Sequence, residues 1–127
     1  MSSSDLQVIT KAKTLCEYVM TVTQKSPKVF RFTFTSRLQN LALDVVECLF
    51  RANETFVRSG DVQAAQERLA LQHRASASLK LLVYVAEMAM KQGCLLMKQY
   101  EQISLQAVEV GTLLGAWING DRRRFGA

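Results

Sequence analysis

The chain is poor in the residues from which most catalytic and metal-binding sites are built. Its 127 residues include one histidine, His73, one proline, Pro27, and three cysteines, Cys16, Cys48 and Cys94. A carboxylate-bridged di-metal bundle needs a glutamate three residues ahead of each of two histidines. Here position 70 is Ala70, and there is no second histidine. A zinc site needs clustered Cys and His ligands, whereas these cysteines lie 32 and 46 residues apart. The odd, widely spaced set reads as buried free thiols in a reducing cytoplasm. A nucleophile with a base and an orienting group would have to draw on His73 alone. No catalytic residues, cofactor or metal are therefore expected, and His73 reads as a surface residue.

Breakers are scarce too, with six glycines and the single proline. That favours long helices over a β fold with many turns. Long apolar runs are missing: the stretch from Leu81 to Met90 is interrupted by Glu87 and fenced by Lys80 and Lys91. A membrane span needs roughly 20 apolar residues, so no membrane segment is expected. The polar opening Met1-Ser-Ser-Ser-Asp5 does not read as a secretory signal. Apolar residues nevertheless make up 49% of the chain, enough for one core. Residues 1–127 read as a single domain.

Helical periodicity fills the space between the breakers. A first helix is predicted over about 5–24, capped by Asp5, with Leu6, Ile9, Ala12, Cys16, Val19 and Val22 or Thr23 on its apolar face. Lys25-Ser26-Pro27-Lys28 stops it, since proline cannot continue a helix. A second is predicted from Thr33 or Thr35 to about Arg58, with the stripe Leu38, Leu41, Ala42, Val45, Cys48, Leu49, Ala52 and Phe56. Gly60 is suited to the left-handed turn that ends it, and Asp61 to capping the third helix. That third helix, about 62–91, carries Leu71, Ala75, Leu79, Leu82, Ala86 and Met90. Val83, Tyr84 and Val85 add apolar surface beyond that stripe, for burial in the bundle or against another subunit. Gln92-Gly93 marks a turn. The fourth runs from about Leu95 to Asn119 through Tyr100, Ile103, Ala107, Val110, Leu114 and Trp117 or Ile118. Gly120 closes it, leaving residues 120–127 as a flexible basic tail. The fold class is all-α, an up-down-up-down four-helix bundle.

Charge is unevenly placed. The net charge of +5 and isoelectric point of about 9.4 permit an acidic partner. Residues 25–37 contribute +4 through Lys25, Lys28, Arg31 and Arg37, with no acid, and the tail contributes +2 through Arg122, Arg123 and Arg124 against Asp121. Phe30, Phe32 and Phe34 interleave with Arg31, a pattern able to grip phosphates and stack on bases. The same phenylalanines could instead staple the connection onto the core. Arg68 and Arg74, on either side of His73, join the candidate contacts. Gly111 and Gly115 sit on one face of the fourth helix, where each costs about 1 kcal/mol against alanine. Something should approach closely there, either a neighbouring helix or a second subunit. Trp117 beside them suits a core plug or an interface anchor.

Two stretches resemble a known family. Ser26-Pro27-Lys28-Val29-Phe30-Arg31-Phe32-Thr33, with Arg37-Leu38-Gln39-Asn40-Leu41-Ala42 after it, resembles the proline-lysine, arginine-phenylalanine-threonine and arginine-x-x-asparagine-leucine signature of certain small four-helix proteins. These are encoded in ribosomal-RNA intervening sequences or serve as accessory variability determinant proteins of diversity-generating retroelements. Glu109-Val110-Gly111-Thr112-Leu113-Leu114-Gly115-Ala116-Trp117-Ile118 is similar to that family's closing helix. The likeness spans almost the whole chain. Ser26 stands where an aromatic is common, and Thr35-Ser36 replaces a more glycine-like start to the second helix. The resemblance implies a homopentameric barrel of bundles with no catalysis of its own. It further implies binding of a reverse transcriptase and of template or structured RNA, or an RNA–DNA hybrid, during adenine-directed mutagenic copying. Lys28, Arg31 and Arg37 fall in the matching motif. The alternatives are an rRNA intervening-sequence-type four-helix-bundle protein of unknown role without a retroelement and, more distantly, a membrane-surface binder using the arginine tail.

Overall fold

In a computed structural model, the backbone of residues 3–126 and the side chains of residues 7–126 are described. The described residues form four long helices and no strand: α1 (Ser3–Thr23), α2 (Ser36–Asn53), α3 (Val62–Lys91) and α4 (Met97–Phe125). A 3₁₀ turn (Lys28–Phe30) and a π-helical turn (Arg31–Thr35) lead into α2. α1 packs on α2 and α4, and α3 packs on the same two helices, so the four stand in a square. Cross-helix contacts fix the directions. On α1 and α4, Lys11 meets Glu109 while Ser26, just past α1, meets Cys94, just before α4. On α3 and α4, Arg68 meets Asp121 while Leu79 lies beside Gly111. Each pair therefore runs antiparallel, giving the expected four-helix bundle.

The stripes read from periodicity point inward. Ala12, Cys16, Val19 and Val22 of α1 are buried, as are Leu38, Leu41, Ala42, Val45, Cys48, Leu49 and Ala52 of α2. Ala75, Leu79, Leu82 and Ala86 of α3 meet Ile103, Ala107, Val110, Leu114, Trp117 and Ile118 of α4 in the same core. Val8 and Leu15 also belong to it and broaden the α1 face beyond its expected stripe. Asp5 falls inside α1, which begins at Ser3. The side chains of Asp5 and Leu6 lie outside the described residues.

Three boundaries differ from expectation. α2 stops at Asn53, five residues early, and leaves Phe56 77% exposed. The Thr55 hydroxyl donates to the Arg51 carbonyl at 2.9 Å, and the Arg68 guanidinium reaches the Thr55 carbonyl at 3.4 Å. These contacts satisfy carbonyls that another helical turn would otherwise serve. Gly60 does adopt a positive φ of 82°, but in the turn before α3 and not as the cap of α2. Asp61 caps α3 as expected, its Oδ1 accepting from the Ala64 N–H at 3.0 Å. The third difference is the tail. Gly120 does not close α4, which continues to Phe125 and ends on Gly126 at φ 67°. The expected flexible segment is helical because Asp121 is tied into the bundle.

The connection before α2 differs in kind. Its proline and charges predict a loop, yet it is helical from Lys28 onward. Pro27, with φ −57° and ψ 140°, sets the entry, and its carbonyl accepts from the Phe30 N–H at 3.0 Å. The Ser36 N–H then reaches back to the Arg31 carbonyl, five residues away, which is the wide π turn. Such turns are rare and occur mostly as single turns.

Candidate nucleic-acid interface

The basic connection is held at several points. Ser26 Oγ donates to the Cys94 carbonyl at 2.9 Å, tying the end of α1 to the α3–α4 turn. Gln39 Nε2 donates to Thr23 Oγ1 at 2.9 Å, and that hydroxyl donates to the Val19 carbonyl at 2.7 Å. Phe30 and Phe34 are half-buried and pack against the core, their ring centroids 5.8 Å apart. Phe32, between them, is 87% exposed. Both roles that the sequence allows the phenylalanines are therefore filled, by different rings: two staple the connection and one projects. The Arg31 guanidinium carbon lies 6.0 Å from the Phe32 ring centroid, within cation–π range.

Lys25, Lys28, Arg31 and Arg37 are all exposed. None of them makes an ion pair among the described residues. No acid occurs between Lys25 and Leu43. Phe32 borders two clefts. One, of about 480 Å³, includes Gln24, Lys28, Arg31 and Gln39 in its lining. The other, of about 570 Å³, includes Arg37, Asn40 and Met88. Exposed cations, hydrogen-bonding amides and an aromatic ring therefore share one end of the bundle. Lys91 and Lys98, also exposed, flank the turn that Ser26 grips. Sequence reasoning does not select them, since they form no charge cluster; the up-down-up-down order puts their turn at this end, and the Ser26–Cys94 contact ties it to the first connection.

The other candidates divide differently. Arg68 is no free cation: its Nε and Nη2 donate to Asp121 at 2.7 and 3.3 Å, and its side chain is 11% exposed. Its guanidinium also stacks 5.1 Å from the Trp117 ring. Arg124 pairs with Asp121 as well, and Arg122 meets His73 Nε2 at 3.1 Å. Arg74 and Arg123 are exposed. These arginines lie at the far end of α4 from the first connection. With 29 residues at 1.5 Å each, that is about 40 Å away. The two basic regions of the sequence are therefore separate, and the C-terminal one is partly neutralised. Trp117 is a buried core plug, 3% exposed. Gly111 and Gly115 are not closely approached within the chain. A Cβ at Gly111 would sit 3.6 Å from Leu79 Cδ2, and one at Gly115 would meet nothing within 4 Å.

Asp121, which the sequence places in a loose tail, is 3% exposed. Its burial pushes the carboxyl pKa up. Hydrogen bonds from Arg68, Gln72 and Arg124, with the charge of Arg68, outweigh burial and hold it below the ordinary carboxylate value. One acid among three arginines is the sequence signal for this anchor. Burial also pushes the Cys16 and Cys48 thiols up, and all three cysteines are free and buried. Among the described residues no group of His, Cys, Asp and Glu is placed to hold a metal ion. No described helix is long and apolar enough to cross a membrane.

A scan against protein-family models gives no match, and a search of curated proteins gives none either.

Asp121 generates a pH prediction. A carboxyl whose pKa is lowered by folding stabilises the fold above its unfolded value, and that contribution is lost as pH falls through the folded value. Asp121→Ala leaves Arg68 buried without its partner and is expected to cost about 3 kcal/mol at pH 7. The difference from wild type should shrink below about pH 4. Urea unfolding across pH measures both; a difference independent of pH would contradict the ionic account.

Proposed function

We propose that this chain is a non-catalytic accessory subunit of a diversity-generating retroelement, acting in the cytoplasm. It binds template or structured RNA, or an RNA–DNA hybrid, together with the reverse transcriptase, and assembles as a homopentamer. The observation that carries the RNA reading is the acid-free connection, which exposes Lys25, Lys28, Arg31 and Arg37 together with Phe32. Cations that make no ion pair among the described residues are free to neutralise phosphates and release counterions. The family assignment is supported by the two motifs that carry the resemblance, and the four-helix architecture agrees with it. A neighbouring reverse transcriptase gene with paired template and variable repeats would separate this role from that of a family member lacking a retroelement.

Self-association is supported by the outer surface between α3 and α4. A groove of about 700 Å³ there is lined by Leu79, Val83, Tyr84, Ala107, Val108 and Gly111. Tyr84 and Val108 are each 66% exposed, and Leu105 65%. Apolar surface of this kind on a bundle suits a second copy. Gly115, whose Cβ would meet nothing within 4 Å, lies on the same helix one turn beyond Gly111.

Each surface can be tested separately. Replacing Arg31 and Arg37 together by alanine should weaken RNA binding at low salt. It should also make the log–log salt slope shallower by about 1.4, for two lost single-strand phosphate contacts, with helicity unchanged. Loss of helicity would mark both residues as structural, and wild-type protein with no salt-sensitive RNA binding and no co-purifying reverse transcriptase would defeat the reading. For assembly, Gly115→Leu should lower the sedimenting mass while the helix content is kept, because its own bundle leaves the position open. An unchanged oligomer would remove this face from the interface.

A further inference from the structure

Phe32 is the most exposed of the large apolar side chains described, at 87%, with Val29 nearby at 78%. It is not exposed through looseness. The residues two before and two after it, Phe30 and Phe34, are packed on the core, and the turn between them is hydrogen-bonded at both ends. The backbone that carries Phe32 is thereby fixed with the ring outward. The cost of leaving an aromatic in water, on a segment that packs its two neighbours of the same type against the core, calls for an occupant.

The surroundings indicate which kind. Phe32 borders both clefts, one carrying Lys28 and Arg31 and the other Arg37. Each cleft also has a side-chain amide able to donate and accept: Gln24 and Gln39 in the first, Asn40 in the second. A flat apolar ring flanked on both sides by cations and amides matches a base with a phosphate on either side of it. Arg31, already 6.0 Å from the ring centroid, can complete a stack. A base within a duplex has both faces covered by its neighbours, whereas an unpaired base offers a free face. An apolar protein partner would fit Phe32 and Val29, but not a stretch of four cations with no acid from Lys25 to Leu43.

We propose that Phe32 is a stacking platform for one unpaired base of the bound RNA, with Lys28 and Arg31 taking the phosphate on one side of it and Arg37 the phosphate on the other. This rests on the RNA-binding reading of the same end and narrows its ligand to a single-stranded segment.

The test uses the full chain and a short single-stranded RNA carrying 2-aminopurine, with the same RNA annealed into a duplex as the second probe. Stacking is expected to quench 2-aminopurine emission on binding. Phe32→Leu should abolish the quench and weaken single-strand binding by about tenfold, with the salt slope and duplex binding unchanged. Phe32→Trp should restore both affinity and quench. Because the ring makes little contact with the rest of the chain, helicity should be the same in all three proteins. If Phe32→Leu binds the single strand within about twofold of wild type, the platform is overturned. Should the Arg31 and Arg37 double variant then still lose affinity, the basic surface stands without stacking, and Phe32 belongs to a protein contact. If wild type binds neither probe, both readings fall together.

Discussion

Each helix of this chain has one apolar stripe, and none can bury it alone. Even for helices of 18 to 30 residues, most of the stability in a protein comes from packing that stripe. Four stripes facing a common axis give the square bundle. The consequence for function is indirect but strong. With the apolar faces committed inward, cations and spare apolar residues are left on the outer faces and at the two ends. The ends differ because the connections differ. At one end the first connection carries four cations and no acid beside a projecting ring, and at the other Arg68 and Arg124 pair with Asp121.

Asp121 matters for what it prevents. Without a buried anchor, the last turns of α4, rich in arginine, would have no reason to stay on the bundle. Arg68, Gln72 and Arg124 converge on its carboxylate, and Trp117 and Phe125 lie against the Arg68 guanidinium. The arrangement fixes the C-terminal end and ties up two of its cations internally. The cations of the first connection are not tied up in this way. That contrast favours the first connection over the C-terminus for the proposed nucleic-acid role.

Residue spacing makes the bundle legible. The α2 stripe from Leu38 to Ala52 is buried as its periodicity predicts, and the limits of α3 fall where Asp61 and Gln92-Gly93 mark them. What escapes depends on contacts between distant residues. Periodicity cannot tell that Thr55 and Arg68 will end α2 early, or that Asp121 will carry α4 through Gly120. Phe30, Phe32 and Phe34 alternate in sequence, and only the wide turn at Arg31–Thr35 decides which of them faces water. The four cations of the first connection are visible as a charge cluster. The commitment of Arg68 is not, since its partner lies 53 positions away. The glycine pair reads as a sign of close approach, yet within the chain a Cβ would make only ordinary contact at Gly111 and none at Gly115.

The central claim is that RNA is held at the first-connection end. Ultraviolet crosslinking of the intact protein to single-stranded RNA, with peptide mapping of the products, tests it most directly. The account predicts crosslinked peptides from residues 25–40, with Phe32 the principal site, and few from residues 121–126. Crosslinks concentrated at Arg122–Arg124, or on the α3–α4 face, would contradict it.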